Sequence, residues 1–273
     1  MSESGPARRE AVPLAASLEG PADAPVLVLG NSLGTSRACW QPQVAALSRH
    51  FRLLRYELRG HGTAAGGLSP APPGPYSVAE LAGDVLALLD AHDVERTLYC
   101  GVSLGGMVGM WLAAHAPERI IGLGLSCTSA YLPPAAGWTD RAARVRAQGT
   151  DSIAEQVVGR WFTPAFRAAQ PEVPAAFAVG LAAIGDEGYA GCCEAIAAMD
   201  LRPVLGSITA PTMVIAGVQD AATPPWHGGV IASSIAGSRL RVVRGGAHLT
   251  NVSAAGEVTA LLLPHLLAAT GLA

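Results

Sequence analysis

Short apolar runs alternate with helical patterns along most of this chain, and that alternation restricts its fold more than any other feature. The strand-like runs lie near residues 25–30, 51–56, 97–102, 120–127, 211–217 and 240–244. Helical segments fall between them, most clearly residues 77–91. There Ser77 and Glu80 have capping-box spacing, and Leu81, Val85, Leu88 and Leu89 share one face. Strands that alternate with helices predict a parallel sheet covered on both sides. The alternation fails between about residues 131 and 203. That stretch reads as helical throughout and carries Trp138, Trp161, Phe162, Phe166, Phe177 and Tyr189. The predicted organisation is therefore a core over residues 1–132, a helical insertion over 133–202 and the rest of the core over 203–273. The insertion is expected to be a cap over a site; a subdomain that only adds stability would read the same way.

Composition fits this plan. A chain of 273 residues with 50% hydrophobic residues can bury a large core in one domain. Its net charge of −3 and lack of a basic run argue against nucleic acid as a partner. No stretch of about 18 uninterrupted apolar residues suggests a membrane span. The apolar C-terminal stretch 258–273 is broken by Pro264 and His265 and reads as a helix docked on the sheet. The polar first ten residues lack the apolar segment of a signal peptide. The first 20 residues leave room for a short hairpin at most. Five scattered cysteines, with no C-x-x-C and no zinc-ligand spacing, predict reduced thiols in the cytosol and no metal site.

The pattern G-x-S-x-G occurs twice, as Gly30-Asn31-Ser32-Leu33-Gly34 and as Gly101-Val102-Ser103-Leu104-Gly105. At a strand-to-helix junction this pattern makes a sharp turn that presents a serine hydroxyl, the nucleophile elbow of α/β-hydrolases. Both copies follow a strand-like run. Only the second leads straight into an apolar helix, residues 105–114; the first runs into the polar residues Thr35, Ser36 and Arg37. Ser103 is therefore the expected nucleophile. The first copy stands where this fold places its oxyanion loop.

A serine hydroxyl needs a base to take its proton and an acid to orient that base, in the chain order Ser, Asp or Glu, His. His248 follows the last strand in Gly245-Gly246-Ala247-His248-Leu249-Thr250-Asn251 and is the expected base. Asp220 lies beyond the carboxyl end of the strand near 211–217, where catalytic groups gather in open α/β sheets. Asp200, at the end of an insertion helix, reads as a surface or capping residue. His115, His227 and His265 read as structural or rim residues. The backbone N–H groups of Leu33 and Leu104 are the expected oxyanion donors. Arg59-Gly60-His61-Gly62 reads as a structural turn, with His61 stabilising loops.

These residues resemble the 3-oxoadipate enol-lactonases, from about residue 25 to 267. The elbow and its helix through Arg119 carry the likeness. So do Arg160-Trp161-Phe162-Thr163-Pro164, Gly188-Tyr189-Ala190-Gly191-Cys192-Cys193-Glu194-Ala195-Ile196, residues 216–225 around Asp220, and Ala247-His248-Leu249-Thr250-Asn251. The elbow is common to many α/β-hydrolases; the insertion segments are more telling. The resemblance implies an α/β-hydrolase fold with an inserted helical cap. It implies cofactor-free hydrolysis of the enol-lactone of 3-oxoadipate in bacterial breakdown of protocatechuate and catechol, through an acyl-enzyme on Ser103.

Two departures concern loops: Glu57 stands where an Asp is usual, and Ser253 where a Glu is common. Some relatives are fused to a carboxymuconolactone decarboxylase, which a chain ending at Ala273 is expected to lack. The implied substrate carries a free carboxylate, so Arg141, Arg144, Arg146 and Arg160 are candidates to bind it. Trp138 and Trp161 are candidate ring contacts. Rival readings are an esterase or cofactor-free perhydrolase with the same triad, and a ligand-binding receptor on a hydrolase scaffold.

Overall fold

The computed structural model describes residues 10–63 and 67–271. The expectation for the polar N-terminus falls almost wholly on residues 1–9 and lies outside these. Strands β1 (Ala16–Glu19), β2 (Val26–Gly30) and β3 (Arg52–Tyr56) precede a two-stranded ladder of β4 (Gly62–Thr63) and β5 (Gly67–Leu68). Then come β6 (Thr97–Val102), β7 (Ile120–Ser126), β8 (Thr212–Gly217) and β9 (Arg239–Val243). The main sheet has seven strands in the order β1-β3-β2-β6-β7-β8-β9. Every pair is parallel except β1 with β3. All six strand-like runs of the sequence are strands here. The short hairpin that the first 20 residues leave room for falls partly on residues 1–9, outside the described residues, and the described strand β1 pairs beyond that segment. β3 and β6 already occupy both edges of β2, so β1 adds to the free edge of β3 instead.

Alternation along the strands assigns their faces. Tyr99 of β6 and Leu123 of β7 lie against Gly109 of α3 (Leu104–His115). Gly122 and Gly124 of β7 lie against Ala269 and Leu262 of α11 (Ala255–Thr270). One helix therefore covers each face of the central strands, and both β6 and β8 are buried along their whole length. β9, at the edge, exposes Arg239, Arg241 and Val242. Charged residues on an edge discourage pairing with another chain. Helix α1 (Gln41–Leu47) packs on α11, and α2 (Val78–Ala91) packs on α3. The α2 capping box is complete: Ser77 Oγ accepts from the Glu80 amide at 3.1 Å, and Glu80 Oε2 accepts from the Ser77 amide at 2.7 Å.

Between β7 and β8 the chain is helical, with α4 (Ala135–Gln148), α5 (Ala154–Val158), α6 (Pro164–Ala169), α7 (Glu172–Ala182) and α8 (Asp186–Ala198). The long helices α4 and α8 pack on each other. Phe162 stacks on Phe166 with ring centroids 5.2 Å apart, and Phe177 meets Trp161 edge-on. Trp161 and Phe162 belong to the hydrophobic core that the block shares with the sheet, and Phe166 and Phe177 pack against it. Several hydrogen bonds fasten the block to the sheet domain, among them Gly185 N–H to Gly60 O at 3.1 Å. Arg146 bridges Glu187 and Glu194, and Glu187 accepts from the Gly74 amide. The Leu249 amide donates to Trp161 O at 3.0 Å. After β8 follow α9 (Pro225–Ser234), β9, α10 (Thr250–Ser253) and α11.

Candidate active site

Ser103 occupies the junction of β6 and α3 with φ 52° and ψ −115°, a conformation that side-chain-bearing residues seldom adopt. The turn holds because its surroundings over-determine it. The Ser103 amide donates to Ser126 O at 3.0 Å, and Thr128 Oγ1 donates to Ser103 O at 2.7 Å. Backbone crowding explains the flanking glycines. A Cβ on Gly101 would lie 2.3 Å from the Gly105 carbonyl, and one on Gly105 would lie 2.4 Å from that of Gly30. The two G-x-S-x-G segments are thus packed on each other, and the Gly105 amide donates to Asn31 O at 2.9 Å.

The first segment forms a buried loop rather than an elbow. Positive φ falls on Gly34 (81°) instead of the serine. Trp40 Nε1 donates to Gly30 O at 3.0 Å, and Asn31 Nδ2 donates to Tyr56 O at 2.6 Å. The Gly34 amide donates to His61 Nε2 at 3.1 Å, while His61 Nδ1–H donates to Arg59 O at 2.8 Å. That pair of bonds requires the neutral ring protonated on Nδ1. Burial supports the neutral state by lowering the His61 pKa to about 4. Arg59 in turn is buried in an ion pair with Asp84 of α2. The Arg-Gly-His-Gly turn therefore braces the loop that carries Leu33.

Asp220 lies beyond β8 and His248 beyond β9, both buried. Asp220 Oδ2 is 2.9 Å from His248 Nδ1. A carboxylate only accepts, so this nitrogen bears the proton and Nε2 is left as the basic position. Asp220 also accepts from the amides of Ala222 (2.8 Å) and Thr223 (2.9 Å) and from Thr223 Oγ1 (2.7 Å). Burial opposes its charge, but the His248 ring and the Thr223 donors hold the carboxyl well below the usual range. Thr223 escaped the sequence reading. Its signal is a hydroxyl three residues after an aspartate in a loop, the spacing of a local carboxylate cap.

Ser103 and His248 line one cavity of about 280 Å³ together with Ser32, Leu33, Trp138, Arg141, Arg160, Trp161, Tyr189 and Ala222, among others. Core loops form one wall and the helical block the other. Arg141 lies over the Trp138 ring at 4.5 Å from its centroid. Burial, then the neighbouring positive charge of Arg141, lowers the pKa of Arg160. Among the described residues lining the cavity, none is Asp or Glu. Arg144 and Arg146 are not brought to it. Arg144 donates to Ser152 O at 2.6 Å and lines a neighbouring outer cleft. Arg146 is engaged by Glu187 and Glu194. Asp200 pairs with Arg202 on the surface, and His227 is bonded to Ser129 Oγ at 2.7 Å. His115 bonds to Trp111 O, and His265 to Leu123 O.

A parallel sheet, a serine on a strained strand-to-helix turn, and a buried Asp-His pair at the same sheet edge define a class before any comparison is made. The family described as alpha/beta hydrolase fold matches residues 25–255, and the chain belongs to that family. It is an enzyme of the hydrolase class and resembles the 3-oxoadipate enol-lactonases in particular. It is 41% identical to 3-oxoadipate enol-lactonase 2 of Acinetobacter baylyi, over 85% of each chain. The crystal structure of the enol-lactonase from Burkholderia xenovorans LB400 superposes with a TM-score of 0.89 at 40% identity, over 93% of this chain and 96% of that one. RutD of Variovorax paradoxus, provisionally named a carbamate hydrolase, is 31% identical over 93% of this chain and 96% of its own. Among the described residues, no helix is long and apolar enough to cross a membrane.

Proposed function

We propose that this chain hydrolyses the enol-lactone of 3-oxoadipate to 3-oxoadipate, in the bacterial pathway that degrades protocatechuate and catechol. The observation that carries this reading is the makeup of the cavity. A serine and a histidine paired to a buried aspartate share it with two arginines, Arg141 and Arg160, and with no lining carboxylate. Such a site suits an acyl compound that carries its own negative charge. The similarity to named enol-lactonases supports the same substrate. The buried free thiols of the five cysteines fit a cytosolic setting.

In this reading Ser103 Oγ attacks the lactone carbonyl while His248 Nε2 takes its proton, with Asp220 stabilising the imidazolium through Nδ1–H. The amides of Leu33 and Leu104 hold the oxyanion. Their neighbours are committed elsewhere, Gly34 to His61 and Gly105 to Asn31. The tetrahedral intermediate collapses by breaking the bond to the ring oxygen. The leaving enolate is protonated and becomes a ketone, which makes ring opening effectively one-way. Water deprotonated by His248 then frees Ser103. Residues 133–202 act as the cap that closes the cavity and supplies Trp138, Arg141, Arg160 and Trp161.

The test is loss of the ultraviolet absorbance of freshly made enol-lactone with purified protein, beside Ser103→Ala. Fast loss that vanishes in the variant is expected. No loss while a phosphonate still labels Ser103 would discard this substrate, and a panel of neutral esters would then identify the acyl group.

A further inference from the structure

Among the described residues that line the cavity, Tyr189 stands apart. Its phenol oxygen is fully buried and, among the described residues, no group accepts its proton. Tyr189 sits on the second turn of α8, its ring packed on the loop that carries Leu33; a Cβ on Gly34 would lie 3.1 Å from the ring edge. The guanidinium of Arg141 lies close to the phenol, and Arg160 is its next positive neighbour. Both arginines have only N–H groups to offer, so neither can accept the phenol proton. Burial outweighs their charge and pushes the Tyr189 pKa up, which keeps the group an O–H donor. Arg141 can donate to the phenol oxygen, but a buried O–H with no acceptor is destabilising unless something completes it.

Three donors, two of them cations, thus converge on one wall of a cavity whose lining includes no carboxylate. A neutral carbonyl there would leave two positive charges uncompensated. An anion that only accepts, with several lone pairs, answers all three. The geometry points to Tyr189 as a substrate-binding residue whose phenol O–H donates to the substrate's free carboxylate, completing a seat with Arg141 and Arg160. This rests on the function proposed above and assigns its selectivity for an acid. Tyr189 holds the part of the substrate that does not react, so its effect falls on binding rather than on attack by Ser103.

Tyr189→Phe removes the oxygen and keeps the ring that packs on Gly34; a thermal melt checks that the fold survives. Turnover of the acid lactone is compared with turnover of its methyl ester. The expected result is that the ratio of kcat/KM for acid over ester falls about ten-fold to a hundred-fold, mainly through KM, the range for a hydrogen bond to a charged group. Equal losses on both substrates would mark a packing residue, and an unchanged ratio would mean the phenol touches nothing. Either overturns the proposal. A second measurement needs no turnover. Adipate, a saturated six-carbon dicarboxylate, is titrated calorimetrically into Ser103→Ala and into Ser103→Ala with Tyr189→Phe. Adipate should bind the former at least ten-fold more tightly; equal affinity, or no binding to either, overturns the seat. If the wild-type protein opens no enol-lactone yet this difference stands, the substrate assignment has failed and the anion seat has not.

Discussion

Residues 30–34 and 101–105 share one pattern and are pressed against each other, yet they have become opposite things. In the second segment the positive φ falls on Ser103, so the strain sits on a residue with a hydroxyl. In the first it falls on Gly34, the residue that adopts such a φ without cost, and Ser32 is an ordinary member of a braced loop. What separates them is the residue after the second glycine. Gly105 continues into an apolar helix that must start hard against the sheet, which forces the turn to tighten at the serine. Gly34 continues into Thr35, whose amide and hydroxyl both bond back to Ser32 O. The same five letters give an elbow or a loop according to what must be packed next.

The largest effect that could break this comparison is on the serines. Ser103→Ala should lower kcat by about 10⁴-fold to 10⁶-fold and abolish phosphonate labelling, because the proposed mechanism has no other nucleophile. Ser32→Ala should still be labelled. Labelling that survived in the first variant and vanished in the second would reverse the two roles.

Stability sharpens it next. Gly105→Ala places a methyl group 2.4 Å from the backbone of Gly30, where neither chain can yield without parting helix from sheet. A loss of roughly 3 kcal/mol or more is expected, the range for severe overpacking against backbone. Gly34→Ala meets only the side chains of Leu181 and Tyr189, at 3.0 and 3.1 Å, and adds the strain of φ 81°. It should cost about 1–3 kcal/mol. Urea midpoints measure both; a larger loss at Gly34 would mean the elbow is the softer of the two.

Much of this was legible from letters. The six strands, the capped helix, the helical block and the order Ser103, Asp220, His248 follow from local pattern and chain order, which a parallel sheet converts into proximity at one edge. The arginines were not separable that way. Arg141, Arg144, Arg146 and Arg160 look alike along a helical stretch, and only packing shows that Glu187 and Glu194 engage Arg146 while Arg144 turns to Ser152. The partner of β1 was hidden too, because which edge is free depends on the whole strand order. Tyr189 reads as one more aromatic of the block until the structure leaves its buried O–H without an acceptor.

The brace under the first segment offers a smaller test. His61→Leu removes the acceptor for the Gly34 amide and leaves that buried donor unpaired. The Leu33 amide should then be held less firmly where the proposed mechanism forms the oxyanion. A fall in kcat of about ten-fold to a hundred-fold with KM little changed is expected, from the roughly 1–3 kcal/mol that an unmade buried hydrogen bond costs. A rise in KM alone would place His61 with the substrate pocket rather than with the oxyanion loop.

The smallest effect concerns two buried carboxylates, Asp220 of the Asp-His pair and Glu57 beside the first segment, where pH reads the difference. Asp220 is held charged by His248 and Thr223 despite burial, so its contribution to stability is present above the ordinary Asp range and lost as pH falls through its lowered pKa. Glu57, beside the first segment, goes the other way. Burial raises it from 4.5 to about 7, more than the Arg37 amide and guanidinium lower it. Between those values the folded protein keeps a proton that the unfolded chain releases, so stability from this group is present below pH 4.5 and lost as pH rises through 7. Glu57→Gln has no proton to lose and keeps an oxygen to accept the Arg37 amide. From pH 4.5 to pH 8 the variant should therefore gain on the wild type by on the order of 2 kcal/mol. Urea midpoints of both proteins at the two pH values measure that gain. A gap that did not change with pH would mean that Arg37 compensates Glu57 as fully as His248 compensates Asp220, and the two carboxylates would then differ in place but not in physics.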